Sequence, residues 1–227
     1  MDFRLTDEQR TMVETLRKFR RDVLEPNAIQ YLDGRFPHEN MARLAELGIL
    51  GMAVPSEYGG SGLGILDTVL ALEEIGKACY VTAMAALGEV GVQTRIISAF
   101  APESLKRKYL PAIASGQCIL SICMTEPHAG TDVPAYRTNA TISGDRAIMK
   151  GTKTLISRAD VADLFVVFTR VNGVPGARAS AARSWRRARP GSPPRPPFTR
   201  WAVSTSARCS STTARSPPRT SFSRPTG

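Results

Sequence analysis

The sequence predicts an α+β protein in which an all-helical domain precedes a smaller β domain. Apolar residues recur at helical spacing through residues 1–116, whereas short apolar runs typical of strands follow in residues 117–176. A third segment, residues 177–227, differs from both because it is rich in arginine, proline and serine. The predicted organisation is therefore an N-terminal helical domain, part of a β domain, and a tail.

The first helix is predicted by a capping box, in which Thr6 is followed by Gln9 three positions later. Four apolar residues then recur at helical spacing as far as Pro26, namely Met12, Leu16, Phe19 and Val23. Similar spacing predicts further helices around Met41–Leu47, Leu66–Ile75, Val90–Ile97 and Leu105–Ile113. Between the second and third helices, residues 54–62 are too rich in glycine for a helix or a strand.

The β domain is predicted by short apolar segments separated by turn residues. Strands are predicted at residues 119–123, 155–157 and 164–168. Residues 140–143 and 146–149 flank Gly144-Asp145, which predicts a β-hairpin.

The charge of +10 is concentrated in the tail, which holds 11 arginines and no lysine, aspartate or glutamate. The body of the chain, from Met1 to Gly176, is nearly neutral, because all the acidic residues lie there beside a similar number of basic ones. The composition of this body therefore gives no indication of a nucleic-acid partner.

Cysteine and histidine spacing excludes a zinc motif, because none of the four cysteines forms a Cys-x-x-Cys pair. The N-terminus lacks the apolar core of a secretory signal, and no apolar run approaches the roughly 20 residues that span a bilayer. A cytoplasmic protein without a membrane span and without a metal site is the expectation.

Residues 122–132 form the most informative segment, Ile-Cys-Met-Thr-Glu-Pro-His-Ala-Gly-Thr-Asp. Backbone N–H groups and hydroxyls in a loop of this kind can bind a polar planar ring or a phosphate. On spacing alone, a plain strand-to-loop connection is the simpler interpretation.

Three other segments join residues 122–132 in an order that a known enzyme family also shows. They are Leu-Thr-Asp-Glu-Gln at 5–9, Val-Pro-Ser-Glu-Tyr-Gly-Gly-Ser-Gly at 54–62, and Gly-Thr-Lys-Thr-Leu-Ile-Ser at 151–157. On these four segments, the chain from Met1 to about Gly176 resembles an FAD-dependent acyl-CoA dehydrogenase.

The resemblance implies a helical N-terminal domain, a β-barrel-like middle domain and a C-terminal four-helix domain that this chain is expected to lack. It also implies a reaction in which a carboxylate base removes a proton from Cα and the flavin takes a hydride from Cβ. The implied substrate is an acyl-CoA or acyl-carrier-protein thioester, and the implied acceptor is an electron-transfer flavoprotein or a similar protein. The full-length enzyme is expected to be a homo-oligomer.

Residues matching the family's motifs are expected to contact FAD, and they are Ile122, Cys123, Met124, Thr125, Gly130, Thr131, Leu155, Ile156 and Ser157. Of these, Thr131 is also expected near the substrate, and Ser157 matches the family's threonine beside flavin N5. Leu155 stands where the family usually has tryptophan, so it can cover a ring face but cannot stack on it as an aromatic residue does.

No catalytic residue is assigned, because the family's catalytic carboxylate lies in the C-terminal helical domain. Glu126 and Asp132 are expected to cap and turn the loop, and Lys153 is expected to be a solvated strand residue. The chain as it stands is expected to be poorly soluble, to hold little FAD and to be inactive. If it were active, the base would be sought among four carboxylates: Glu57, Glu89, Glu126 and Asp132.

Two interpretations of the tail remain open. It is either a disordered Arg/Ser/Pro segment able to bind RNA, or a frameshifted stretch that begins near Ala179. In the second case, each original codon consists of the third base of one codon of the given frame and the first two bases of the next codon. With GC-rich codons, residues 210–219 can then encode Leu-Phe-Asp-Asp-Cys-Pro-Val-Pro-Ala-Glu, which is similar to a strand of the family. Frameshift is the favoured interpretation, and a non-catalytic nucleic-acid-binding chain is the alternative function.

Overall fold

The computed structural model describes residues 4–143 and 146–173, together with strands at 181–186, 207–209 and 214–215. The chain divides into two compact units, Met1–Ala99 with Glu103–Cys118 and Phe100–Pro102 with Ile119–Gly227. The first unit is helical and the second contains a mixed sheet, which confirms the predicted α+β class with helices before strands.

Helix α1 spans Asp7–Phe19 and begins with the predicted capping box. The Gln9 backbone N–H donates to the Thr6 hydroxyl at 3.2 Å, and the Thr6 N–H donates to the Gln9 side-chain oxygen at 3.1 Å. Two otherwise unpaired N–H groups are thereby satisfied, and acidic residues occupy the first turn, where the helix dipole favours negative charge.

The helical path continues past Pro26, where the sequence predicted an end. A π-helical segment at Arg20–Leu24 leads into the short helix α2, Glu25–Asn27, and then into a 3-10 turn at Ala28–Tyr31. Pro26 stands at the start of α2, the part of a helix that tolerates proline best.

Five longer helices follow among the described residues: α3 His38–Glu46, α4 Ile65–Gly76, α5 Tyr80–Val90, α6 Val92–Phe100, whose last residue belongs to the second unit, and α7 Glu103–Ala114. Their shared core includes Leu16, Leu24, Leu44, Leu50, Met52, Ile75 and Val90. Each of these side chains is almost fully buried, and burial of one such side chain contributes about 1.5–3 kcal/mol. The core therefore holds α1, α3, α4 and α5 together.

The glycine-rich segment at residues 54–62 forms a loop with a single 3-10 turn at Ser56–Tyr58, as its composition predicted. The loop closes on itself so tightly that a Cβ at Gly60 would lie 2.1 Å from the Val54 carbonyl oxygen. Only glycine fits there.

Within the described residues, the sheet of the second unit has seven strands: β1 Leu120–Cys123, β2 Asn139–Ser143, β3 Arg146–Lys153, β4 Leu164–Val171, β5 Ala181–Arg186, β6 Ala207–Cys209 and β7 Ala214–Arg215. The order is β1-β4-β2-β3-β6, with β5 also on β4 and β7 also on β3. The hairpin of β2 and β3 confirms the prediction, although its turn at residues 144–145 lies outside the described residues. β1 and β4 pair in parallel, with Leu120 opposite Leu164.

The predicted strand at residues 155–157 is wrong. The chain turns there instead, and Leu155 and Arg158 adopt left-handed φ values of 56° and 62°. An apolar run predicts a strand only where it can be buried, and Leu155 is 72% exposed.

The tail contributes three short strands, β5, β6 and β7, which lie within residues 177–227. None of these strands contains proline, and arginine and alanine offer the same backbone donors and acceptors as any strand residue. The predicted disorder of the remaining tail residues falls outside the described residues.

Candidate functional site

The loop that follows β1 is held in a tight turn. The Glu126 N–H donates to the Ala129 carbonyl at 2.9 Å, and the Ala129 N–H donates to the Glu126 carbonyl at 3.1 Å. Pro127 and His128 form the corner of this turn, which is the Pro-containing part of the segment singled out in the sequence. The next residues, Gly130 and Thr131, are exposed. Both residues are therefore accessible to a ligand.

The two predicted flavin-binding segments lie side by side in the second unit. The Thr154 N–H donates to the Thr125 carbonyl at 2.9 Å, which joins the end of β3 to the loop after β1. The buried Ser121 hydroxyl donates to the Ser157 carbonyl at 2.7 Å and thereby fixes the turn after β3. These two bonds bring residues 121–125 to residues 154–157, which are distant in sequence.

The turn at residues 155–157 exposes one apolar and one polar side chain. Leu155 is 72% exposed, and Ser157 is also exposed. Between them, Ile156 is half-buried and packs against the core of the sheet, which includes Phe165 and Val167. This anchoring residue holds the turn in place while its neighbours on either side remain available for contact.

A buried ion pair links the loop after β1 to the end of β3. Lys153 Nζ is 3.0 Å from Glu126 Oε1 and donates to the Met124 carbonyl at 2.7 Å. Its ammonium also lies over the Tyr136 ring, 4.8 Å from the centroid. Lys153 is only 4% exposed, so the expectation of a solvated strand residue is wrong. The error arises because lysine is seldom buried without a partner, and the partner belongs to a loop that is distant in sequence.

Both oxygens of the Glu126 carboxylate bind backbone groups. Oε2 accepts from the Arg137 N–H at 2.6 Å, and Oε1 accepts from the Thr138 N–H at 2.9 Å. Glu126 therefore closes the loop of residues 127–136, in agreement with its predicted role in turning the backbone. His128 Nε2 lies 3.4 Å from Oε2 at the more exposed side of the cluster.

The electrostatic environment lowers the pKa of both members of this pair. Burial alone raises the pKa of Glu126, but the N–H groups of Arg137 and Thr138 and the Lys153 ammonium outweigh it, and the pKa lies below its ordinary value. Burial lowers the pKa of Lys153, and the attraction of Glu126 offsets only part of this effect. Glu126 is fully engaged as an ionised hydrogen-bond acceptor.

Ser121 and Lys153 support the site, although no role in the site was expected for either of them from the sequence. One signal could have located Lys153. Alternate residues of a strand share a face, and Met149, Gly151 and Lys153 follow this alternation along β3. Met149 packs against the core of the sheet, so Lys153 is directed to the same inner face. Ser121 offered no comparable signal.

Within the described residues, no group of three or more His, Cys, Asp or Glu side chains is arranged to hold a metal ion. The helices of the described residues are also too short or too polar to cross a membrane.

Comparison with known proteins places both units in one enzyme family. The family models for the acyl-CoA dehydrogenase N-terminal domain and middle domain match residues 6–117 and 121–210. The second match extends beyond residue 176, where the change in composition marked the start of the tail.

Individual relatives agree with the family match. The chain is 34% identical over 183 residues to a short-chain-specific acyl-CoA dehydrogenase of Clostridium acetobutylicum, covering 80% of this chain and 48% of that protein. The structure of butyryl-CoA dehydrogenase from Megasphaera elsdenii superposes with a TM-score of 0.77 and 30% identity, covering 84% of this chain and 51% of that one. PigA in complex with FAD superposes with a TM-score of 0.77 and 28% identity, over 84% and 51% of the two chains. The chain spans about half the length of the curated relatives that it matches. From its two matched domains and their common fold, the chain belongs to the acyl-CoA dehydrogenase family.

Proposed function

We propose that this protein serves the FAD-dependent dehydrogenation of an acyl thioester and that residues 122–131 and 155–157 face the flavin. The observation that carries this proposal is the hydrogen bond between Thr154 and Thr125, which joins two segments distant in sequence. A flavin ring needs hydrogen-bond partners along its edge and apolar contacts on its faces. The exposed Thr131 and Ser157 hydroxyls and the exposed Leu155 side chain fit both needs.

The residues of this chain would bind and orient the reactants. FAD supplies the hydride-accepting centre when it is bound. Ser157 would donate a hydrogen bond at flavin N5, and Thr131 would contact both cofactor and substrate. The half-buried Met124 and Thr125 would line the ring beside them. Backbone N–H groups of the loop would stabilise negative charge on the acyl oxygen or on the flavin edge.

Glu126 is unsuited to act as the base that removes the Cα proton. Its two oxygens already accept from two backbone N–H groups and the Lys153 ammonium, and its pKa is lowered. A general base needs a pKa near the working pH and an oxygen that can approach the substrate. Glu126 is therefore removed from the four carboxylates among which a base would be sought.

The proposed substrate is an acyl-CoA, since the relatives are named for CoA thioesters, and an acyl-carrier-protein thioester is the alternative. An electron-transfer flavoprotein or a similar carrier would reoxidise the flavin. A homo-oligomer in the cytoplasm is proposed for the full-length enzyme.

For the tail, the frameshift remains our proposal in preference to nucleic-acid binding. The match to the middle domain runs through residue 210 and so includes part of the arginine-rich segment. The tail contains no recognised nucleic-acid-binding motif, and its four aromatic residues are scattered.

The flavin assignment is tested by titrating FAD into the purified chain and its Ser157→Ala variant. Free FAD can be raised to high concentration, so even weak binding is measurable by the change in flavin fluorescence. Removal of one net hydrogen bond, about 1 kcal/mol, should weaken the affinity about fivefold. Ser115→Ala is the matched control, because Ser115 is an exposed serine of the helical unit and should leave the affinity unchanged.

Two results would contradict the assignment. One is a wild-type chain whose addition does not alter the flavin fluorescence at any FAD concentration. The other is equal affinity for wild type and Ser157→Ala, which would remove Ser157 from the site.

A further inference from the structure

The Lys153 ammonium makes three contacts, and each is with a different residue near the two proposed flavin-binding segments. It donates to the Met124 carbonyl at 2.7 Å, pairs with Glu126 at 3.0 Å and lies over Tyr136 at 4.8 Å. The first contact holds the main chain of a residue expected to touch the flavin. Lys153 is also the last residue of β3, two positions before Leu155. One side chain therefore connects both segments of the proposed site.

Glu126 completes the connection from the other side. Its carboxylate receives the backbone N–H groups of Arg137 and Thr138, which begin the approach to β2. Glu126 and Lys153 are 3% and 4% exposed, so this pair is protected from competition by water. The three elements joined through the pair are the loop after β1, the segment before β2 and the end of β3.

A buried ion pair is a poor device for stability alone. Removing two charges from water is unfavourable, and well-packed apolar residues of similar volume often stabilise a protein as much or more. The pair instead fixes the relative positions of the segments that it joins, because its charged groups bind defined partners on each segment. A lysine that donates to the Met124 carbonyl sets the position of that main chain relative to β3.

We infer that Lys153 and Glu126 are positioning residues that set the spacing between residues 124–125 and residues 155–157 for flavin binding. The inference rests on the proposed function, because the spacing matters for activity only if the two segments bind flavin. Neither side chain is expected to touch the flavin. Each acts through the backbone that it holds.

Lys153→Met tests the inference, since methionine fills the space of the lysine stem without its charge. Loss of a residue that orients a metal ligand typically weakens metal affinity by about 10- to 100-fold, and by analogy FAD affinity should fall by about tenfold. The bound flavin should also show an altered visible circular dichroism spectrum at saturation. In the unliganded chain, amide exchange at Thr154 and Thr138 should become faster, because both N–H groups depend on this cluster.

Glu74→Gln is the matched control, because it removes a buried carboxylate of similar exposure from the helical unit. It should destabilise the protein while leaving FAD affinity and the flavin spectrum unchanged. If Lys153→Met fails to fold, Lys153→Arg and Glu126→Gln replace it. The arginine should keep most of the affinity and the glutamine should lower it.

The outcomes separate this inference from the proposed function. A wild-type chain that does not bind FAD overturns the proposed function and, with it, the purpose of the pair. A wild-type chain that binds FAD, together with a Lys153→Met variant whose affinity, flavin spectrum and amide exchange match it, overturns the positioning role alone.

Discussion

Leu155 adopts a backbone conformation that leucine seldom accepts. Its φ is 56°, and its side chain is 72% exposed, so neither the intrinsic preference of leucine nor burial of its side chain explains this conformation. A left-handed conformation is unfavourable for residues with a Cβ by roughly 1–2 kcal/mol. Strain of this kind is maintained by the surroundings, which here are the hydrogen bonds of Thr154 and Ser157 to the loop after β1 and to β1 itself.

At position 155, glycine should be more stabilising than alanine. Both substitutions remove the exposed side chain, but alanine retains the strain and glycine relieves it. Leu155→Gly should therefore have a free energy of unfolding about 1 kcal/mol higher than Leu155→Ala, measured by urea denaturation.

The order of stability of the glycine and alanine variants should reverse at the neighbouring Thr154, which is not among the described residues with positive φ. There, Thr154→Gly should be less stable than Thr154→Ala by about 0.5–1 kcal/mol, because glycine loses more freedom on folding. If the glycine variant were the more stable of the two at both positions, or the less stable at both, the argument from strain would be refuted.

Between elements, Glu74 of α4 joins three segments of the helical unit. It is 3% exposed and lies 3.3 Å from Arg17 of α1, 3.0 Å from Arg20 in the π-helical segment and 2.8 Å from Lys77. Burial alone raises the pKa of Glu74, but hydrogen bonds and attraction from Lys77 and Arg17 outweigh it and lower the pKa overall. The charged form is therefore favoured in the folded state.

This shift predicts a contribution to stability that is present at neutral pH and lost in acid. A glutamate whose folded pKa lies below its unfolded value of 4.5 binds fewer protons when folded. Stability from Glu74 is therefore complete above that value and disappears as the pH falls through the folded pKa. Glu74→Gln should lower the free energy of unfolding at pH 7 by about 2 kcal/mol, less than for a fully buried pair because Arg17 and Lys77 are half exposed.

Urea denaturation at pH 7, 5 and 3 measures this contribution. The difference between wild type and Glu74→Gln should shrink at the lowest pH. Glu46→Gln is the control, because Glu46 forms an exposed pair with Arg43 and should change stability by less than about 0.5 kcal/mol at every pH. A Glu74→Gln difference that stays constant with pH would contradict the argument.

At the scale of the whole molecule, charge is unevenly distributed along the chain. The body from Met1 to Gly176 is nearly neutral, whereas the tail carries 11 arginines and no acidic residue. Yet the family match continues through residue 210, and β5 pairs with β4 along its whole length. Residues 177–210 therefore still match the middle domain in the given reading frame, despite their different composition.

The proposed frame shift requires that the DNA encoding residues 177–227 contain the family's strands in another frame. Read from the third base of each codon, it should encode apolar residues with aspartate and glutamate, including Leu-Phe-Asp-Asp across residues 210–213. Sequencing this region is the measurement. Stop codons in that frame, or codon choices that exclude the Leu-Phe-Asp-Asp run, would eliminate the hypothesis.

Local signals in the sequence predicted most of the helices, the hairpin and the four family segments. The capping box at Thr6 and Gln9 and the close approach at Gly60 depend on neighbours within a few positions, so the sequence displays them directly. The same locality explains why residues 122–131 and 155–157 could be predicted as site segments from motifs, a prediction that awaits the FAD titration.

Tertiary structure alone decided how these segments meet. The burial of Lys153 against Glu126, the left-handed turn at Leu155 and the parallel pairing of β1 with β4 all join residues distant in sequence or depend on such contacts. A lysine, a leucine or an apolar run has no single conformation by itself, because its environment determines whether it is buried, strained or paired. That environment exists only once distant parts of the chain have packed together.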